Sequence, residues 1–222
     1  MMNFSNLVLI AANSFIKNIG MLLHTNSDNP NTHHIKTVTE CLLDGGVIIY
    51  PTDTIYGLGC DIFQQKAIEK ICRIKNVLPQ KAQLSFICYD LSDLSKYTKG
   101  ISTPLYRTLK EYLPGPYTFI LPASKQVPKI LQSKKSTIGL RIPDNNIARE
   151  IVLQLQHPIL SASLPGEMVE EYTDPELMYE NFKNLVDIVI DGGIGSMIPS
   201  TVIDCTNDDY EVIRMGAGEW KE

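Results

Sequence analysis

GGVIIYPTDTIYGLGCD, residues 45–61, is the stretch that decides the fold class of this chain. Four apolar residues run into Pro51, and two threonines, an aspartate, a tyrosine and two glycines follow before any charged helix begins. An apolar run without polar alternation is typical of a strand that is buried on both faces of an α/β sheet. Because ligands of open α/β sheets collect just beyond strand ends, we predict a buried strand followed by a binding loop.

Outward from this stretch, helical patterns alternate with apolar strand patterns. Helices are predicted at IKTVTECLLDGG and QQKAIEKICRIKN and near residues 105–113, 147–155 and 175–184. Strands are predicted at VIIY, LSFICYD, YTFIL, STIGLRI, PILSAS, VDIVI, STVIDC and YEVIRM. This alternation predicts an α/β fold in which helices cover an open, twisted, mixed sheet with antiparallel edges near the C-terminus.

The chain shows no internal repeat, low-complexity tract or linker, so we predict one domain over residues 24–222. Residues 1–23 are treated as an N-terminal extension of uncertain status, because Met21 is as good a start as Met1. The apolar run at residues 7–12 lacks a basic flank and is too short for a bilayer, which takes about 20 residues. We therefore expect neither secretion nor a membrane partner.

The five cysteines lie far apart, without a C-x-x-C pair, beside apolar runs. This spacing predicts buried, reduced thiols in a cytoplasmic protein rather than a disulfide scaffold or a zinc site. The net charge of -5 is unevenly distributed, since residues 64–149 hold 15 Lys or Arg against 5 Asp or Glu. A basic block of this kind attracts the phosphates of a nucleotide or RNA, although on its own it also fits solvated helix faces.

No standard phosphate-binding loop is present, because neither G-x-x-x-x-G-K-[ST] nor G-x-G-x-x-G occurs. This argues against a Walker NTPase and a Rossmann dehydrogenase. The basic end of the second helix, with Arg73, Lys75 and Lys81, is one candidate for a phosphate contact. The alternative is that these cations complement the dipole at the helix C-terminus.

Hydroxyl groups cluster beside proline at three strand edges. They lie in PTDTIYGLG, in ILSASLPGE and in PSTVID. The recurrence predicts a shared pocket that holds a polar ligand by neutral hydrogen bonds. No histidine is placed like a base or metal pair and no G-x-S-x-G elbow occurs. We expect any catalysis to work by positioning and charge neutralisation.

Together with LPGPYTFIL, TIGLRIPDN and VIRMGAG, these segments resemble the YrdC/YciO family, whose best-known members are L-threonylcarbamoyl-AMP synthases. The resemblance implies a YrdC-like fold and formation of threonylcarbamoyl-AMP and pyrophosphate from L-threonine, bicarbonate and ATP. That product serves the threonylcarbamoyladenosine modification of tRNA. The resemblance also implies Mg²⁺, without a dedicated protein site, and binding of tRNA or double-stranded RNA. A homodimer is left open.

The same resemblance assigns roles to individual residues. Thr52, Thr54 and Tyr56 would surround threonine or its carbamate, and Lys75 would be the catalytic lysine that holds nucleotide phosphates. The nucleotide and phosphate side would take in, besides Lys75, the residues Arg141, Ser161, Ser163, Ser200, Thr201 and Arg214.

Two positions depart from the synthase pattern. Val77 stands where K-G-R-P has its arginine, and Ser163 stands where S-A-N has its asparagine. Losing a charge-assisted contact to phosphate removes about 1.5–3 kcal/mol of binding free energy. These departures place the chain nearer the YciO branch. Two hypotheses follow: a synthase, weakened by these losses, or a YciO-type protein that binds RNA or a nucleotide without making the adenylate.

Overall fold

The computed structural model describes residues 19–79, 82, 84–131, 136–165 and 172–221. Its strands are β1 Met21–His24, β2 Val47–Tyr50, β3 Gly57–Asp61, β4 Ser85–Ile87, β5 Tyr117–Pro122, β6 Thr137–Arg141, β7 Ile159–Ser163, β8 Ile188–Asp191, β9 Thr201–Asp204 and β10 Glu211–Arg214. Its helices are α1 Thr32–Leu43, α2 Gln65–Ile74, α3 Leu91–Tyr97, α4 Thr103–Tyr112, α5 Asn146–Leu155 and α6 Pro175–Phe182. All eight predicted strands and all five predicted helices are present, whereas β1, β3 and α3 were not predicted.

The ten strands form one open sheet in the order β1-β8-β2-β3-β7-β4-β6-β5-β9-β10. Four neighbouring pairs are parallel: β1 with β8, β2 with β8, β4 with β6, and β5 with β9. The other five pairs are antiparallel, including β9 with β10 at the edge. The predicted mixed α/β sheet with an antiparallel C-terminal edge is therefore confirmed.

The stretch at residues 45–61 is a hairpin rather than a strand and a long loop. Every residue of β2 is buried, and β3 returns antiparallel beside it, with Tyr50 opposite Gly57. Gly57 and Gly59 thus belong to a strand, and the connecting loop is confined to residues 51–56. A strand rich in glycine has weak strand propensity, which is why the pattern suggested a loop there.

Side chains alternate between two cores on opposite faces of the sheet. On β2, Val47 and Ile49 join the core beneath α2, α3, α4 and α6. Ile48 and Tyr50 join the smaller core beneath α1 and α5. Since successive strand residues point to opposite faces, both faces of β2 need helical cover.

The N-terminal edge and the cysteines complete the fold. β1 pairs with β8, so residues 21–23, predicted as part of an extension, lie in the sheet, and residues 1–18 lie outside the described part. All five cysteines are free, and four of them are buried. Among the described residues, no helix is both long and apolar enough to cross a membrane.

Candidate functional site

Small side chains form a row across the middle of the sheet. Ser161 on β7 lies opposite Gly59 on β3 and beside Ser85 on β4. Ser85 in turn pairs with Gly139 on β6, which lies opposite Ile120 on β5. These residues face the side of α1 and α5, beyond the area that the two helices cover. The row leaves a cavity of about 550 Å³ above it, within the range of small-molecule sites.

Tyr50 orients the serine at the centre of this floor. Its side chain is fully buried, and its hydroxyl donates to Ser161 Oγ at 2.6 Å. Burial raises the pKa of Tyr50 to about 12, so the phenol stays protonated at neutral pH. Because Ser161 Oγ accepts this bond, its own proton is left to donate to a ligand in the cavity.

Arg141 lines the cavity from the end of β6. Its Nη2 donates to Asp53 Oδ1, to Thr54 Oγ1 at 2.7 Å and to Thr52 Oγ1 at 3.3 Å. The side chains of Arg141 and Asp53 are 8% and 10% exposed. Arg141 Nε and Asp53 Oδ2 are buried without a hydrogen-bond partner. Buried polar atoms of this kind call for a ligand or ordered water that donates to one and accepts from the other.

Tyr56 contributes its ring to the cavity and uses its hydroxyl elsewhere. The hydroxyl donates to Gly193 O at 2.7 Å and accepts from Gly192 N at 3.2 Å. Burial raises the pKa of Tyr56 to about 12. Tyr56 therefore fixes the loop at residues 192–193 and presents an apolar wall to a ligand.

Ser200, just before β9, and Arg214, on β10, form another part of the cavity wall. Arg214 donates from Nη2 to Ser200 O at 2.8 Å and from Nε to the same oxygen at 3.2 Å. The hydroxyls of Ser200 and Thr118 lie 2.9 Å apart. Partial burial, and secondarily the charge of Arg141, lower the pKa of Arg214. Two guanidinium groups thus act on one cavity, which favours an anionic ligand.

Thr201 lies below the cavity and holds the C-terminal segment. It is fully buried, its hydroxyl donates to Gly218 O at 2.5 Å, and it accepts from Gly216 N at 2.9 Å. Both hydrogen-bonding functions of the hydroxyl are therefore taken up by the chain itself.

Lys75 lies at the C-terminal end of α2, beside the cavity. Its Nζ donates to Ser163 O at 2.5 Å and to Ser163 Oγ at 3.0 Å. Partial burial lowers the pKa of Lys75. Asn76 then takes a left-handed backbone with φ of 53°, and Val77 follows with 37% exposure. Arg73 is exposed on the same helix, and Lys81 lies outside the described residues.

The structure brings most of the predicted residues around one cavity. Its lining includes Thr52, Tyr56, Arg141, Ser161, Ser163, Ser200 and Arg214. Three of the predicted residues are not part of the lining. Thr54 and Lys75 lie beside it, and Thr201 lies below it. Sequence reasoning placed Asp53 in the predicted binding loop without assigning it a ligand, and it did not select Tyr50, Ser85 and Thr118. The alternation in the predicted strands LSFICYD and YTFIL is the signal that places Ser85 and Thr118 on the open face.

The described residues contain no group of three or more His, Cys, Asp or Glu side chains that could hold a metal ion. Asp53, the carboxylate nearest to the cavity wall, is paired with Arg141. No Asp or Glu is among the described residues that line the cavity, so a Mg²⁺ ion here would be held mainly by phosphate oxygens of the substrate and by water.

Comparison with known proteins identifies the family. The model of the family Sua5_yciO_yrdC, described as telomere recombination, matches residues 40–216. The chain belongs to this Sua5/YciO/YrdC family. Escherichia coli YciO, itself named an uncharacterized protein, is 41% identical over 206 residues, which cover 91% of this chain and 98% of YciO. The threonylcarbamoyl-AMP synthase of Coxiella burnetii is 30% identical over 164 residues, which cover 74% of this chain and 88% of the synthase.

Solved structures of the family agree with this assignment. The crystal structure of E. coli YciO matches with a TM-score of 0.84 at 40% identity, covering 90% of this chain and 97% of YciO. Pyrococcus abyssi Sua5, crystallised with L-threonine, matches with a TM-score of 0.78 at 24% identity, covering 88% of this chain and 57% of Sua5. The second match supports the fold. The higher identity to YciO confirms the predicted placement nearer the YciO branch.

Proposed function

We propose that the protein is an L-threonylcarbamoyladenylate synthase that forms threonylcarbamoyl-AMP and pyrophosphate from L-threonine, bicarbonate and ATP for tRNA modification. The observation that carries the proposal is the cavity bounded by Arg141 and Arg214 and floored by Ser161. A cavity of this size with two guanidinium groups in its lining suits a substrate that carries more than one anionic group. Relatives named threonylcarbamoyl-AMP synthase support the same chemistry.

The threonine side of the proposed site is at Arg141. Arg141 has a guanidinium oriented by Asp53 and Thr54 and an Nε without a partner. It would attract the carboxylate of threonine. The Thr52 hydroxyl donates to Ile55 O and accepts from Thr54 N, so Thr52 would shape the pocket wall rather than offer a free hydroxyl. The Sua5 structure that contains L-threonine supports threonine as the amino acid.

The phosphate side is placed at Arg214 and Ser200, and Lys75 adds positive charge from the rim at Ser163 on β7. The carbamate, formed from the threonine amine and bicarbonate with loss of water, attacks the α-phosphorus of ATP through an oxygen. That oxygen bonds to phosphorus as the bond from phosphorus to the bridging oxygen of the β-phosphate breaks, and pyrophosphate leaves with the electron pair. The protein supplies positions and positive charge, without a covalent intermediate.

Mg²⁺ enters this proposal with ATP as part of the substrate. No Asp or Glu of the described residues lines the cavity, so the ion would reach the site on the phosphates of ATP. The charge contributed by the chain comes from Arg141, Arg214 and Lys75.

The direct test is to incubate the purified protein with ATP, L-threonine, bicarbonate and Mg²⁺ and to measure pyrophosphate. We expect release that requires threonine and that disappears in Lys75→Ala and Arg141→Met. Arg107→Met, an exposed substitution on α4 away from the cavity, is the matched control and should retain activity. Pyrophosphate release that does not depend on threonine would reject the assignment.

A second candidate is a protein that binds tRNA, double-stranded RNA or a nucleotide without forming the adenylate. The exposed Val77 and Leu78, beside a Lys75 already bonded to Ser163, favour it. They leave the end of α2 without the second cation of the synthase pattern. Salt-sensitive RNA binding with no threonine-dependent pyrophosphate would select this candidate over the synthase.

A further inference from the structure

A second cavity of about 310 Å³ lies apart from the one described above and shares no lining residue with it. It sits beyond the carboxyl ends of the parallel strands β4 and β6, where Tyr89 and Ile142 follow the strands. In open α/β sheets this is the edge at which ligands collect. Nothing in the proposed synthase chemistry uses this cavity.

Arg149 on α5 supplies the charge of the second cavity. Its guanidinium carbon lies 5.1 Å from the centre of the Tyr89 ring, so the ring holds the guanidinium in a cation–π contact. Arg149 Nε is buried and has no hydrogen-bond partner. None of the ion pairs between described residues involves Arg149. A cation fixed in place and left without a counterion is a site for an anion.

The rest of the lining is mainly apolar. Leu91, Leu113, Pro114 and Ile142 contribute aliphatic surface. Asp90 also lines the cavity, but it is exposed, and its Oδ1 already accepts a hydrogen bond from Asp93 N. A ligand that fits this lining carries a carboxylate for Arg149 and a short aliphatic chain for the apolar wall. Phosphate and nucleotides lack such a chain.

We propose that the second cavity binds a small aliphatic carboxylate. The carboxylate accepts hydrogen bonds from Arg149, and the chain packs against Leu113 and Ile142. The ligand class includes both simple fatty acids and aliphatic amino acids. They differ in an ammonium group, which would meet Asp90, the carboxylate among the lining residues. The proposal is independent of the synthase reaction, since it involves neither ATP nor the residues of the first cavity.

The test is an NMR titration of the ¹⁵N-labelled full-length protein, without ATP, with three probes of one shape. L-Leucine carries the carboxylate and the ammonium, 4-methylpentanoate only the carboxylate, and L-leucinamide only the ammonium. We expect saturable shifts at Leu91 and Ile142 with 4-methylpentanoate, and none with leucinamide. If the natural ligand is an amino acid, leucine binds more tightly and Asp90→Asn removes that advantage.

Variants connect the binding to Arg149. Arg149→Gln should weaken binding of 4-methylpentanoate by about tenfold or more, the loss expected for one charge-assisted hydrogen bond. Arg149→Lys keeps the positive charge but lacks the planar guanidinium that can donate two parallel hydrogen bonds to a carboxylate. It should therefore bind 4-methylpentanoate more tightly than Arg149→Gln and more weakly than the unmodified protein. Arg107→Gln makes the same charge change outside the cavity and should bind normally. Absence of saturable shifts, equal binding of leucinamide, or unchanged binding in a folded Arg149→Gln protein would overturn the proposal.

Discussion

Lys75 and Ser163 join the end of α2 to the end of β7, because Lys75 Nζ lies 2.5 Å from Ser163 O and 3.0 Å from Ser163 Oγ. Ser163 lines the first cavity, so this contact holds the ammonium at its rim. Ser163 stands where the synthase pattern has asparagine. In this chain it acts as the hydrogen-bond acceptor that positions the lysine.

The first prediction concerns the pH dependence of Lys75. Burial lowers the pKa of its ammonium from the usual 10.5, so it loses its proton, and its attraction for phosphate, at a lower pH than an ordinary lysine. We expect kcat/KM for ATP to fall as the pH rises, with a midpoint below that value, since this ratio reports the free enzyme. Lys75→Arg should flatten the profile because guanidinium stays protonated. Lys66→Arg, an exposed change on α2, serves as the control, and an unchanged profile in Lys75→Arg would reject the role.

The second prediction concerns the two departures from the synthase pattern. Val77 is 37% exposed, so an arginine can be placed there without displacing buried side chains. Asparagine at position 163 retains a carbonyl oxygen that can accept from Lys75. Val77→Arg combined with Ser163→Asn should raise threonine-dependent pyrophosphate release by roughly tenfold, the contribution of one charge-assisted phosphate contact. Leu78→Arg tests whether any cation near this turn suffices. No gain in the double variant would show that the lost contacts do not limit activity.

The third prediction concerns the buried pair of Asp53 and Arg141. Asp53→Asn removes the counterion of a guanidinium that is only 8% exposed and should cost about 3–5 kcal/mol of unfolding free energy. Thr54→Val removes one neutral acceptor and should cost about 0.5–1.5 kcal/mol. Asp53→Asn with Arg141→Met should be more stable than Asp53→Asn alone. Urea unfolding measures the free energy of unfolding of all three variants. If Asp53→Asn with Arg141→Met is no more stable than Asp53→Asn alone, the pairing of the two side chains is contradicted.

The fourth prediction concerns the C-terminal segment that Thr201 holds. Thr201→Val leaves Gly218 O and Gly216 N without their partner and should cost about 1–3 kcal/mol of unfolding free energy. Trp220 is the single tryptophan, and its ring lies 4.7 Å from that of Tyr112. In Thr201→Val, the fluorescence of Trp220 should shift to the red at a lower urea concentration than the one at which the far-ultraviolet circular dichroism signal changes. The reason is that the C-terminal segment would detach before the rest of the fold unfolds. The exposed Thr103→Val is the control. Coincident transitions in Thr201→Val would show that the segment does not detach separately.

Sequence patterns predicted the elements whose periodicity is clear and missed those whose pattern is atypical. β2 and α5 have long apolar signals, and both were predicted within one or two residues. β3, with its glycines at positions 57 and 59, resembled a loop, because its strand conformation depends on pairing with β2 and β7. α3 spans only seven residues, too short for a clear helical period.

For the site, the sequence indicated hydroxyl clusters at three strand edges but not how each hydroxyl would be used. Ser161 keeps its hydroxyl proton for the cavity, whereas the hydroxyls of Thr52, Tyr56 and Thr201 donate to the chain itself. Alternation along a strand predicts which face of the sheet a side chain is on. The residues that this side chain contacts depend on the register between strands that are distant in sequence.

The sequence by itself determined the α/β class, the buried thiols, the family resemblance and the two positions, Val77 and Ser163, that depart from the synthase pattern. These features depend on residue type and on the order of neighbouring residues, and both can be read directly from the sequence. Only the tertiary structure decided that Tyr50 orients Ser161, that Asp53 pairs with Arg141, that Ser163 anchors Lys75, and that Arg149 lies over the Tyr89 ring in a second cavity. Each of these contacts joins residues from distant parts of the chain, and side chains this far apart in sequence meet only once the strand order and register are fixed.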